Sequence, residues 1–329
     1  MNVRAVLRPM MVAVLALSAA ACGGGTSEDS TDAAAAPSSS APVKVTLGAL
    51  SIGQVAPMVL AEQKGIFEKH GIDLTITFLE PPALVPTLMS GKADFIWSNP
   101  PALLGARANN VPLKSVTTVS TAGDEPTTFP IQVLVPKGSS IKTLADLAGK
   151  KVATASLFQL PDLALAESLD KAGADAKSVE FVEIPFPNMG EALGAGRVDA
   201  IISTEPFVTI IKSTGAAVPL VSVSEGLDAK TPISVVASSE KFVSGNAEVV
   251  ESFRDAIDEL SEYARTHEDE VRAVIPTITK ITPELAEVIT LAPIDSTDDA
   301  AGWDAWAELL VRTGVLDEKP DAAEAFLAD

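Results

Sequence analysis

Short apolar blocks, bounded by Gly, Pro, Asn, Asp or Ser, recur at 43–50, 74–79, 95–97, 113–119, 131–135, 151–155, 179–183, 200–203, 218–221 and 233–237. Each predicts a strand. Between them, stretches at 57–65, 83–90, 101–108, 143–149, 161–172, 188–195 and from Pro206 onward predict helices. Pro57 falls in a first helical turn, where its missing N–H would be unpaired in any case. Strands and helices alternating at this length predict α/β layers around a mainly parallel sheet. Beyond residue 237 the pattern turns helical. Val249, Val250, Phe253, Ile257, Leu260 and Ala264 form one apolar stripe with Glu, Asp and Arg between them, and helices over 283–291, 298–312 and 321–328 complete the chain. These late helices are expected to pack around the first part of the fold, to which strand 233–237 returns.

One phrase in this pattern occurs twice. Phe78-Leu79-Glu80, a Pro, a helical stretch, Gly91-Lys92-Ala93-Asp94 and Ser98-Asn99-Pro100-Pro101 are echoed by Phe181-Val182-Glu183, a Pro, a helical stretch, Gly196-Arg197-Val198-Asp199 and Ser203-Thr204-Glu205-Pro206. From each Asp, the Ser, the next polar residue and the Pro keep the same offsets. Each copy reads as strand, helix closed by Gly, strand, and a polar turn opening the next helix. A unit used twice predicts two similar lobes, 43–136 with 232–329 and 137–231. Polar turns at strand ends are where open α/β sheets hold ligands, which predicts a cleft between the lobes.

The first residues carry a different signal. Arg4 and Arg8 precede an apolar run from Met10 to Leu17 and a small-residue segment that ends at Cys22, the layout of a secretory signal peptide over 1–21. The run is too short to span a membrane. Cys22 is the one cysteine of the chain, so an internal disulfide is excluded. Its position resembles the lipidation site of bacterial lipoproteins, although Ala19 stands where a larger aliphatic residue is usual. Residues 22–42 are almost entirely Gly, Ser, Thr, Ala, Asp, Glu and Pro and are expected to form a disordered tether. The protein is therefore expected outside the cytoplasm, anchored to the cell membrane through Cys22.

The 329 residues, 47% of them hydrophobic, suffice for two cores. The formal net charge of −20 argues against nucleic-acid or anionic-membrane binding by the folded body. Catalysis finds little to use. His70 and His267 fall at predicted helix ends among charged residues, and neither a Gly-x-Ser-x-Gly elbow nor a phosphate loop occurs. No His or Cys cluster has metal spacing, and no catalytic residue, metal or cofactor is expected.

Four polar turns carry the candidate chemistry. Ser51 to Gln54, Ser98-Asn99, Ser156 to Gln159 and Thr204-Glu205 each follow a strand, precede a helix and contain no cation. Helix starts present unpaired N–H groups, so an anionic group could be held there by backbone, Ser, Asn and Gln donors, while Glu205 would suit an amino group or ring N–H. The candidate ligand residues are Ser51, Gln54, Trp97, Ser98, Asn99, Ser156, Phe158, Gln159, Asn188, Thr204, Glu205 and Phe207. Among the few aromatics, Trp97, Phe129, Phe158, Phe186 and Phe207 fall in or beside the expected cleft, whereas Trp303 and Trp306 lie on a late helix and read as packing.

Ala61-Glu62-Gln63-Lys64-Gly65-Ile66-Phe67 with His70-Gly71-Ile72 resembles an early segment of the substrate-binding proteins for nitrate, sulfonates, taurine and thiamine-precursor pyrimidines. The blocks from Leu144 to Val152, Ala192-Leu193 with Gly196 to Ala200, and Glu205-Pro206-Phe207 resemble later segments of that family in the same order. The resemblance spans about 43–270. It implies the two-lobed periplasmic-binding-protein type II fold, a hinge of two crossing segments near 135–138 and 228–234, and ligand delivery to an ABC importer permease; a monomer fits a protein that must open and close. A small sulfonate, taurine or nitrate is the first expected ligand, with a thiamine-precursor pyrimidine or other heterocycle close behind, its amino group on Glu205. Another class of function on this fold is an enzyme of pyrimidine or menaquinone synthesis, or a surface sensor. The pyrimidine synthases need a cysteine-rich cluster, which Cys22 alone does not supply.

Overall fold

The computed structural model describes residues 41–124 and 129–327. The expected signal peptide, Cys22 and the tether up to residue 40 lie outside the described residues. Two five-stranded sheets are built to one plan. In the first, β1 (Val43–Ala49), β2 (Ile72–Phe78), β3 (Phe95–Ser98) and β4 (Leu113–Thr121) are connected through α1 (Ala56–Gln63), α2 (Ile66–Lys69), α3 (Leu84–Met89) and α4 (Pro100–Ala108). The second begins with β5 (Ile131–Pro136) and continues through β6 (Lys151–Thr154), α5 (Leu160–Lys171), β7 (Glu180–Glu183), α6 (Phe186–Gly194), β8 (Ala200–Thr204), α7 (Phe207–Ser213) and β9 (Ala217–Ser222). The chain then returns with β10 (Pro232–Ser239) to the first sheet.

The strand orders are β2-β1-β3-β10-β4 and β7-β6-β8-β5-β9. In each sheet three strands pair in parallel, and an antiparallel strand, β10 or β5, is inserted before the last. The sheets are thus less uniformly parallel than the alternation of elements predicts. The placement of 131–136 with the first lobe is also corrected, because β5 pairs with β8 and β9. Its residues Ile131 to Val135 are all buried, so no alternation of exposure marks which sheet the strand joins. Each sheet therefore contains one strand from beyond its own βα run. The chain leaves the first sheet after Thr121, enters the second at Ile131, earlier than the expected 135–138, and returns just before Pro232. The crossings touch: the Ala122 N–H donates to the Thr231 carbonyl at 2.9 Å and the Gly123 N–H to the Ala229 carbonyl at 2.8 Å.

The repeated Gly-x-x-Asp phrase has a structural origin. Gly91 and Gly196 take φ of 70° and 66°, reversing the chain after α3 and α6. Three residues on, the Asp94 carboxylate accepts from the Thr46 N–H at 2.8 Å, and the Asp199 carboxylate accepts from the Lys151 N–H at 2.9 Å. In both copies the residues are 48 apart, so each Asp, standing just before β3 or β8, ties that strand to its parallel neighbour, β1 or β6. No atom lies within 4 Å of a Cβ built on Gly196, which makes the left-handed backbone the only obstacle to a side chain there. Gly196→Ala is expected to cost about 1–2 kcal/mol, read as a shift of the urea midpoint at unchanged m-value.

The remaining helices are α8 (Glu240–Gly245), α9 (Ala247–Thr266), α10 (Glu268–Ile278), α11 (Pro283–Ala286) and α12 (Ala300–Arg312). The stripe on α9 is buried at Val250, Phe253, Ile257, Leu260 and Ala264, with the Phe253 ring 4.3 Å from Phe95 and 5.4 Å from Phe67. It covers one face of the first sheet together with α1, α2 and α10. On the other face, α4 packs against α12, and both also meet α5 of the second sheet. Two expected helices are replaced. Of 283–291 only Pro283–Ala286 is helical, after which Ile294 bridges Ser120 and the Asp295 N–H donates to the Val119 carbonyl. Of 321–327 only Ala322–Glu324 forms a 3₁₀ turn before Phe326 bridges Ser115. Both segments satisfy the open edge of β4, whose backbone groups would otherwise lack partners.

Candidate functional site

The C-terminal ends of β1, β2, β3, β6 and β8 and the N-terminal ends of the inserted β5 and β10 converge on a cavity of ≈ 330 Å³. Seven of the twelve candidate residues line it: Gln54, Trp97, Ser98, Asn99, Ser156, Gln159 and Thr204. The turns after the strands carry them there, as the repeat predicts. Sequence reasoning missed the apolar part of the wall, which includes Ile52, Pro81, Pro82, Val85, Leu160 and Ile233. Pro81-Pro82, which cannot prolong β2 as a ladder strand, was the available signal. Phe186 also lines the cavity, and Phe207 stacks on it, with ring centroids 5.5 Å apart and planes nearly parallel. Among the described residues, no Lys, Arg, His, Asp or Glu belongs to the lining.

Five candidates lie off the cavity. Ser51 is exposed and its hydroxyl donates to the Ile278 carbonyl. Phe158 is 59% exposed, and Asn188 is exposed on the first turn of α6. Phe207 faces a groove between α6 and α7. Glu205 is buried, 1% exposed, and its carboxylate accepts from the Thr209 N–H at 3.0 Å, the Thr209 hydroxyl at 2.8 Å and the Thr290 N–H at 3.4 Å. Its role as a partner for a ligand amino group is corrected by this geometry: its carboxylate is engaged by the first turn of α7 and by Thr290, and it is not among the residues lining the cavity. Burial pushes its carboxyl up, against the pull of those hydrogen bonds and of Lys212. Phe129 is buried in the core.

The helix starts are also less open than their sequences imply. At α4, Pro100 and Pro101 have no N–H, the Ala102 N–H donates to Asn99 Oδ1 at 3.0 Å, and the Leu103 N–H donates to the Asn99 carbonyl. At α7 the Thr209 N–H is taken by Glu205. In the turn before α1 the Gly53 N–H donates to the Glu205 carbonyl at 3.0 Å. Before α5, three successive amides meet carboxylates: Leu157 N–H donates to Glu183 Oε1 at 2.9 Å, Phe158 N–H to Asp162 Oδ2 at 2.8 Å and Gln159 N–H to Asp162 Oδ1 at 3.0 Å. The expectation that these starts would hold an oxyanion rested on unpaired N–H groups, and the protein's own acceptors already use many of them. Gln54 and Thr204 bond each other across the cleft, Gln54 Nε2 to Thr204 Oγ1 at 2.8 Å, over a separation of 150 residues.

Asp162 is 4% exposed, and burial pushes its carboxyl up to about 6, against the pull of the Gln159 and Phe158 amides. The unfolded chain holds such a group near 3.9. Between these values the folded state binds more protons than the unfolded one. Stability is therefore expected to fall as pH rises from about 4 to about 6, by on the order of 2–3 kcal/mol, and Asp162→Asn should flatten that slope in urea titrations across the range.

Two similar α/β sheets facing a cleft at their strand ends define a protein of the periplasmic-binding-protein fold. Residues 52–271 match the family model described as NMT1/THI5 like, and the chain belongs to that family. A Haemophilus influenzae protein named for thiamine biosynthesis is 35% identical over 149 residues, an alignment that spans 45% of either chain. Among solved structures, the alkanesulfonate-binding protein of Xanthomonas axonopodis pv. citri bound to MOPS superposes with a TM-score of 0.75 at 21% identity, covering 88% of this chain and 99% of that one. The nitrate-binding protein of Synechocystis PCC 6803 superposes at 0.69 with 14% identity, covering 85% and 84%. At these identities the likeness establishes the fold. Among the described residues no helix is long and apolar enough to cross a membrane, and no group of three or more His, Cys, Asp or Glu is placed to hold a metal.

Proposed function

We propose that this protein is an extracytoplasmic solute-binding protein of an ABC importer and that its ligand is an uncharged nitrogen heterocycle of the thiamine-precursor pyrimidine kind. The observation that carries the choice of ligand is a cleft wall with no charged residue among the described residues, two aromatic rings, and helix starts whose amides are largely spent. Trp97 and Phe186 offer ring faces, and Ser98, Ser156, Gln159 and Ser234 offer hydroxyl and amide groups to the edge of a flat ring. The volume of ≈ 330 Å³ falls at the low end of the roughly 300–1,000 Å³ usual for small-molecule sites, which suits a small ligand. The family membership and the thiamine-related relative favour the same class.

In this reading the first sheet with its helices, about 43–121 and 232–327, moves against the second, about 131–222. The paired segments at 122–124 and 227–231 serve as the hinge. Ligand bridging the cleft shifts the population toward the closed form that the permease recognises. Cys22 carries the lipid anchor and the protein works as a monomer. A thermal-shift screen with the pyrimidine, thiamine, flavins, sulfonates, taurine and nitrate tests the reading. A ligand bound by the folded state raises the midpoint with the logarithm of its concentration over its Kd. A shift with the pyrimidine or another uncharged heterocycle supports it, a shift with the oxyanions alone transfers the ligand to that class, and no shift with any of them points to a sensor or other non-transport role.

A further inference from the structure

We infer that Phe186 is a specificity-determining residue: its ring is the partition between the cleft and an apolar groove between α6 and α7, and so it limits the length of ligand the protein accepts. The inference rests on the reading of the ≈ 330 Å³ cavity as the ligand site and names which heterocycles that site takes, those without a hydrocarbon chain. The groove is a separate cavity of ≈ 240 Å³. Among the described residues, Phe186 is the one that lines both.

The position of the ring follows from the chain around it. Pro185, at φ −55°, is the N-cap of α6, which makes Phe186 the first residue of that helix, and Pro187 follows in the first turn, where no helical N–H is lost. From there α6 spans 9 residues, about 13 Å, beside α7. The two helices come close where a Cβ built on Gly190 would lie 3.0 Å from Ile211 Cγ1. Phe207, the first residue of α7, lines the groove but not the cleft, and its ring stacks on Phe186 at an interplanar angle of 14°. Phe186 also packs against the buried cores of both sheets, so the partition is braced from either side of the cleft. The groove behind it suits a hydrocarbon chain. Its polar side chains are already engaged, Glu191 by Arg197 at 2.8 Å and Thr214 by the Ile211 carbonyl at 2.7 Å, and the rest of its wall is apolar or small. A chain reaching Phe186 must displace a braced ring; with the ring removed it would meet an apolar channel.

The test measures by calorimetry the Kd of the full protein, of Phe186→Ala and of Phe186→Leu for an aminopyrimidine bearing a methyl group and for its homologue with an n-hexyl chain at the same ring carbon. The ratio of the two Kd values is read, because loss of the Phe186 ring face weakens both compounds alike. The unaltered protein is expected to bind the methyl compound more tightly by roughly tenfold, the usual scale for forcing extra methylenes into a packed site. In Phe186→Ala the preference should reverse, by about fourfold for each methylene the groove buries. Phe186→Leu, with a shorter side chain, should show a smaller gain and serves if the Ala variant does not fold. Equal affinity of the unaltered protein for both compounds would overturn the inference, as would folded variants that still reject the hexyl chain. A crystal structure of Phe186→Ala gives a second reading that needs no ligand. One continuous void from cleft to groove supports the partition, and a gap refilled by Phe207 overturns it. If neither compound binds any of the proteins, the proposed ligand class fails, and the crystal structure decides the role of Phe186 by itself.

Discussion

Trp306→Ala is expected to lower the folding free energy by about 3–5 kcal/mol, the usual scale for emptying a large aromatic site in a core. Trp306 is 1% exposed on α12 and its indole N–H donates to the Pro232 carbonyl at 2.8 Å, so the substitution leaves a buried acceptor unpaired as well as a cavity. The contact is tight: a Cβ built on the neighbouring Gly302 would lie 2.5 Å from Pro232 Cδ. Because Pro232 begins β10 immediately after the second chain crossing, α12 holds that crossing in place. The loss should appear as a fall in the melting midpoint on the order of 10 °C. Trp306→Phe, which keeps most of the packing and loses the hydrogen bond, should cost about 1–2 kcal/mol. Equal losses for the two variants would show that the hydrogen bond and not the packing dominates.

The second large effect concerns ligand. Trp97 sits on β3, is 4% exposed, and belongs both to the core beneath the first sheet and to the cavity wall. Trp97→Leu keeps an apolar side chain on the strand and removes the ring face. Stacking of a flat nitrogen base on an aromatic side chain is worth about 1–3 kcal/mol, so the Kd for the pyrimidine is expected to rise roughly ten- to hundredfold. Calorimetry well below the melting midpoint of the variant separates this from any loss of stability. Trp97→Phe should retain most of the affinity. If Leu and Phe weaken binding equally, stacking is not the source.

Much of the architecture is legible before any coordinates, and the reason is locality. The strand and helix positions follow from apolar periodicity within a dozen residues. The left-handed glycines at 91 and 196 and the capping Asn99 act on neighbours in the chain. Even the doubled unit can be read directly, because Asp94 and Asp199 stand at the same offsets from the preceding Gly and the following Ser in both copies. The positions of the polar turns at strand ends follow too, which is why seven candidates meet at one cavity.

What required the tertiary structure is pairing over distance. Nothing in the buried run of β5 says that it belongs to the second sheet, since the hydrogen bonds that decide it go to β8 and β9, more than 60 residues on. The segments after 286 and 324 read as helix by pattern, yet the edge of β4 draws them into extended contact. The chemistry of the cleft was the least legible part. A helix start without a cation has the same sequence whether its amides are vacant or filled, and here the acceptors arrive from residues such as Glu183 on another strand. The direction of Glu205, inward to Thr209 and Thr290, likewise depends on a loop 85 residues away. Short-range patterning thus sets which residues reach the cleft, while long-range hydrogen bonding sets which of their polar groups remain to meet a ligand.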